Sequence, residues 1–170
     1  MNSSGLASPA CSLIRDEHRT LAALLHALRY LVRELRAEHI RPDFKLMRAI
    51  VYYIDAYPDR LHHPKEELHL FAALAKRTHE ADDDLRILRE EHVNGARLIR
   101  DLGHELLRYA LGGDAWFPMF AAAVEAYATF YYQHMEREES RILPLALQHL
   151  TAEDWQTIND AFSENDDPLK

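Results

Sequence analysis

Four long stretches of apolar residues spaced three and four apart, separated by short loop-forming segments, set the strongest limit on what this chain can fold into. From about Ser12 to Glu38, residues Leu13, Leu21, Leu24, Leu25, Leu28, Leu31, Val32 and Leu35 recur at helical spacing. "RPD" at 41–43 interrupts the run, and Asp43 can cap the helix that follows. Phe44, Met47, Ile50, Val51 and Ile54 open that second helix, which runs to about Lys76. Asp82, Asp83 and Asp84 suit the positive end of a third, and Gly112 and Gly113 suit its stop. A fourth extends from near Trp116 to about Leu147, and "TAED" at 151–154 resembles the capping box of a short fifth. The pattern predicts an all-α fold, an antiparallel up-down-up-down four-helix bundle with a short C-terminal fifth helix. Its expected divisions are a flexible N-terminal arm over 1–10, the bundle over 11–162, and a solvated tail over 163–170.

Composition narrows the function. The 170 residues are 48% hydrophobic with only five glycines, which fits one ordered helical domain. A formal net charge of -8 argues against a general nucleic-acid partner, which needs a basic face for phosphates. No apolar run is long enough to span a membrane, and the N-terminus lacks a basic start followed by an apolar stretch, so the expected location is the cytoplasm. A single cysteine, Cys11, excludes an internal disulfide and a four-thiolate cluster. The unusual count is eleven histidines.

Several of those histidines fall into an internal repeat. "IRDEH" at 14–18 matches "LREEH" at 88–92, 74 residues on, and "HHPKEELHLF" at 62–71 matches "HMEREESRILP" at 134–144, 72 residues on. Each half therefore has a helix with one histidine, then a helix with His-x-x-x-Glu. Residues four apart on a helix are rotated by about 40° and displaced by about 6 Å, so the imidazole and carboxylate reach one point. His134 and Glu138 form the cleaner pair; in the other half either His62 with Glu66 or His63 with Glu67 has this spacing. His18 shares an apolar stripe with Ile14, Leu21, Ala22 and Leu25, and His92 shares one with Leu85, Leu88, Ala96 and Ile99. Taken singly, each inward histidine reads as a hydrogen-bonded core residue. Four histidines and two glutamates on inward faces, arranged twice in the same order, call for a partner, and two metal ions, iron or manganese, supply it.

With these motifs the chain resembles the hemerythrin-like (HHE cation-binding) family, bacterial type, over nearly its whole length. "RDEH", "LHHPKEELHLF", "REEH" and "HMEREESRILP" look like the family's four signatures. The resemblance implies a non-haem di-iron centre with oxo, hydroxo and carboxylate bridges, with manganese or zinc as other metals that could fill it. It maps the ligands to His18, His62, Glu66, His92, His134 and Glu138, the glutamates bridging. It also implies a small diatomic or peroxide ligand: O2, NO or peroxide, bound, sensed or turned over. Two departures matter. Ala96 stands where the invertebrate oxygen carriers have a second third-helix histidine, and His134 is followed by Glu138 where they have His-x-x-x-x-Asp. Fewer histidines leave more open coordination, which favours reactivity over simple storage.

Superimposing Glu66-Glu67 on Glu138-Glu139 pairs His62 with His134. That favours His62 and Glu66 as the inner pair, with His63 and Glu67 turned about 100° away. Pro64 cannot donate to the carbonyl of Arg60, so the second helix should be kinked or locally unwound there. Glu66-x-x-His69 is a single Glu-x-x-His, where a ferritin-like site needs two, and His69 is expected outside the ligand set. His26, His39, His79, His104 and His149 share no pattern and should be solvated, whereas Tyr57 is near enough to His62 to approach the site. No Gly-x-Ser-x-Gly or phosphate-cradling loop is present. Three readings remain open: a di-iron binding or sensing protein, a di-iron enzyme decomposing peroxide or reducing nitric oxide, and a metal-free helical interaction module. Sensing would act through a separate protein partner, or a homodimer, because no output domain is recognisable in the sequence.

Overall fold

The computed structural model describes residues 8–163, and within them every element is helical. Helix α1 spans Ser8–Arg36. Helix α2 covers residues 44–77 and α3 is Asp82–Gly112. Helix α4 covers residues 117–149 after a single 3-10 turn at Asp114–Trp116, and α5 is Ala152–Ser163. The last three residues of the expected arm are thus the first turn of α1, where the Ala10 amide donates to Asn159 Oδ1 at 3.0 Å. Residues 1–7 of that arm and residues 164–170 of the expected tail lie outside the described residues.

The start and stop signals act as their chemistry dictates. Asp43 accepts from the Leu46 amide at 2.9 Å, capping α2. Thr151 and Asp154 cap α5 reciprocally, the Thr151 amide donating to Asp154 at 2.9 Å and the Asp154 amide to Thr151 Oγ1 at 3.2 Å. The chain leaves α3 at Gly113, whose φ of 75° is the left-handed conformation glycine adopts most readily.

The four long helices close into a ring in which α1 packs on α2 and α4, and α3 packs on α2 and α4. Two apolar cores fill it. One gathers Leu21, Leu25, Leu28, Met47, Ile54, Ile99, Leu102, Phe120 and Tyr127. The other gathers Ile14, Leu70, Phe71, Leu85, Leu88, Ile142 and Leu143, and α5 closes it with Trp155, Ile158 and Phe162, all at 0–1% exposure. Between the cores lies a buried polar layer of His18, His62, His63, Glu66, His92, His134 and Glu138.

Helices α2 and α4 are not uniformly wound where they cross this layer. Helix α2 runs as α-helix over Phe44–Tyr57, widens to π-helix at Pro58–His62, returns to α at His63–Lys65 and widens again at Glu66–Phe71. Helix α4 widens at Glu138–Ile142. In both, the turn ahead of a proline closes five residues back: the His63 amide donates to the Pro58 carbonyl before Pro64, and the Leu143 amide to the Glu138 carbonyl before Pro144. A proline ring collides with the carbonyl four residues earlier, and the wider turn relieves that collision without breaking the helix. The expected distortion at Pro64 is therefore a widening, and the helix continues through it.

Candidate metal centre

The polar layer is built from one position on each of α1 and α3 and two or more on each of α2 and α4. His18 Nε2 lies 3.1 Å from Glu138 Oε2, and His62 Nε2 lies 3.0 Å from Glu66 Oε1. His134 Nε2 is 3.3 Å from Glu138 Oε1, and His92 Nε2 is 3.5 Å from Glu66 Oε2 and 3.7 Å from Glu138 Oε1. Each glutamate thus turns one oxygen to either side. Donor atoms within 4.8 Å of one another form two groups that share Glu66: His18, His62, Glu66 and Glu138, and His63, Glu66, His92 and His134. All six residues the resemblance mapped come together, with the four-residue spacing of His62 and Glu66 intact.

His63 joins them, although sequence reasoning turned it away. Its ring stacks on His92 with centroids 4.1 Å apart, and its Nε2 lies 2.5 Å from the Tyr131 hydroxyl. The repeat could not reveal it, because 72 residues on stands Met135. The available signal was the proline beside it: a wider turn before Pro64 advances less per residue, so two neighbouring side chains can face one layer.

Four outer carboxylates hold the other histidines, one from each helix to the next around the ring. Glu17 on α1 accepts from His62 Nδ1 on α2 at 2.5 Å, and Glu67 on α2 accepts from His92 Nδ1 on α3 at 2.7 Å. Glu91 on α3 accepts from His134 Nδ1 on α4 at 3.0 Å, and Glu139 on α4 accepts from His18 Nδ1 on α1 at 2.9 Å. Each outer glutamate directly follows or precedes an inner residue, so the doublets "EH" and "EE", each present in both repeats, were its trace in the sequence. The bond to Nδ1 fixes the tautomer and points Nε2 inward, the arrangement by which metal-binding histidines are oriented.

The inner atoms are left without hydrogen bonds. Nε2 of His62, His92 and His134 and both oxygens of Glu66 and Glu138 make none among the described residues, although all are buried. Buried acceptors and donors in this state are costly, and a cation at their common focus would satisfy them together. Without a cation, protons do part of that work. Burial disfavours the charged imidazoles, but Glu66 and Glu138 outweigh it, holding His92 at about 10, and Glu138 with Glu91 holds His134 at about 9. Burial would raise Glu138, yet His134, His18 and His92 hold its carboxyl well below the usual carboxylate range. His63 goes the other way: burial, then the neighbouring His92, His62 and His134, push it well below the usual histidine value and keep it neutral. A neutral imidazole is the form that ligates a metal.

The model of the hemerythrin HHE cation-binding domain matches residues 11–146, which take in every residue of both groups. The chain belongs to this family. Curated proteins and solved structures gave no match. As an HHE domain the protein carries a buried His/Glu cluster fit for cation binding, and no helix among its described residues is long and apolar enough to cross a membrane. The histidines expected to be solvated lie away from the cluster: His39 pairs with Glu34, His79 with Asp82 and His149 with Glu80.

Proposed function

We propose that this HHE domain holds two iron ions and uses them to bind or sense O2, NO or peroxide. His18 and His62 would ligate one ion and His63, His92 and His134 the other, with Glu66 and Glu138 bridging. The observation that carries this is the set of seven inner atoms, buried and without hydrogen bonds, focused on two overlapping groups. Imidazole and carboxylate donors in this mixture suit iron, with manganese and zinc the other candidates. Bound iron would supply reversible ligand binding and electron transfer to a small ligand. The chain's residues do the rest. The outer carboxylates hold each imidazole in one tautomer, and the two apolar cores above and below exclude water from the layer.

Catalytic turnover of peroxide or NO is the second reading, supported by Ala96, which adds no donor where oxygen carriers have one. Stopped-flow spectra of the iron-loaded protein separate the two. Release of intact oxygen from a stable adduct supports binding, and repeated consumption of peroxide or NO supports an enzyme. A protein grown with iron that retains none would reject both.

A further inference from the structure

The two halves of the layer repeat each other, and the places where they differ show what one half can do that the other cannot. Between α1 and α2, against His18 and His62, lies a small cavity of about 10 Å³ lined also by Glu17, Leu21, Tyr53, Tyr57 and Pro58. That is about the space one water needs. In the second half, 74 residues beyond Leu21 stands Gly95, and 72 beyond Pro58 stands Phe130. The Phe130 ring lies so close over Gly95 that a Cβ there would sit 3.2 Å from it, and the ring also stacks on His134 at 6.4 Å. Phe130 thus fills in one half the position that the other half leaves hollow.

The polar wall of the cavity has a definite sense. Glu17 is 5% exposed, and its carboxylate takes two protons' worth of hydrogen bonds: the Tyr57 hydroxyl at 2.5 Å and His62 Nδ1 at 2.5 Å. Thr129 stands at the repeat position of Tyr57, and Glu91, the counterpart of Glu17, has the Arg137 guanidinium 3.7 Å away instead of a phenol. With its hydrogen directed at Glu17, the phenol oxygen of Tyr57 offers the cavity a lone pair, and the carboxylate can only accept. The remaining wall, Leu21, Tyr53 and Pro58, is apolar apart from the Tyr53 hydroxyl.

We propose that this cavity receives the outer atom of a two-atom ligand that carries a hydrogen, hydrogen peroxide, and that Tyr57 selects it by accepting that hydrogen. O2 and NO bring no hydrogen and gain nothing from the phenol. The proposal rests on the iron reading above and narrows its ligand class. Room for one water-sized atom also excludes alkyl hydroperoxides.

The test compares the iron-loaded protein with Tyr57→Phe, which keeps the ring stacked on Tyr53, and with Leu21→Phe, which imitates Phe130. Tyr57→Phe should retain iron, slow the reaction with hydrogen peroxide by about three- to tenfold, the worth of one hydrogen bond, and leave the NO on-rate and off-rate unchanged. Leu21→Phe should retain iron and slow both ligands. In crystals of the metal-free protein the cavity should hold one water bonded to Tyr57, and the Phe130 side should hold none. Equal effects of Tyr57→Phe on peroxide and NO, no effect on peroxide, or a dry cavity would overturn the proposal while leaving the iron reading intact. Wild-type protein that takes up no iron would overturn both.

Discussion

At the scale of single residues, the inner and outer shells make separable demands. Glu66 is shared by both groups of donors, so Glu66→Ala should abolish metal uptake altogether. His63 belongs to one group, and His63→Ala should leave about one tightly held iron per chain, read by elemental analysis after dialysis. The outer carboxylates act through the tautomer they impose. Glu91→Gln should keep the fold and weaken metal binding by about 10- to 100-fold, measured by competition with a chelator of known affinity. His63 and the outer glutamates were the least legible part of the site. The repeat revealed what the halves share, and His63 has no counterpart in the other half, where Met135 stands. Glu17, Glu67, Glu91 and Glu139 do have counterparts, but a charged doublet on a helix also describes an ordinary solvated face. Only the helix packing shows that each reaches the neighbouring helix's histidine.

At the scale of elements, the prolines are what bring two adjacent histidines to one layer. Pro64→Ala would restore an amide donor and remove the ring from the Arg60 carbonyl, allowing the π turn at Pro58–His62 to relax to α-helix. The expected result is a metal-free protein more stable by up to about 3 kcal/mol that binds metal more weakly, because His63 turns away. Thermal unfolding followed by circular dichroism, paired with a metal titration, checks both halves of that trade; unchanged metal affinity would contradict the link between winding and site. Helix number and punctuation were readable because Asp43, Gly113 and the Thr151–Asp154 pair each act within a few residues of themselves. The π turns were not readable as such. A proline announces a disturbance, and tertiary packing decides whether the helix kinks, breaks or widens.

At the scale of the whole molecule, a charged layer between two apolar cores couples stability, pH and metal. In the metal-free protein His92 at about 10 and His134 at about 9 lie above the value of about 6.5 they would have unfolded. Their contribution to stability is fully present below about pH 6.5 and is lost as pH rises through 9 to 10. The metal-free form should therefore melt at lower temperature at pH 9.5 than at pH 7. Metal binding must displace those same protons, so affinity should rise over that interval, and the melting temperatures of the two forms should diverge. Parallel melting curves across that range would contradict the assignment. The central claim is the pair of ions in the layer, and diffraction from iron-loaded crystals at the iron absorption edge tests it most directly. The account predicts two anomalous peaks bridged by Glu66 and Glu138, one beside His18 and His62 and the other beside His63, His92 and His134. A single peak, or peaks outside that layer, would contradict it.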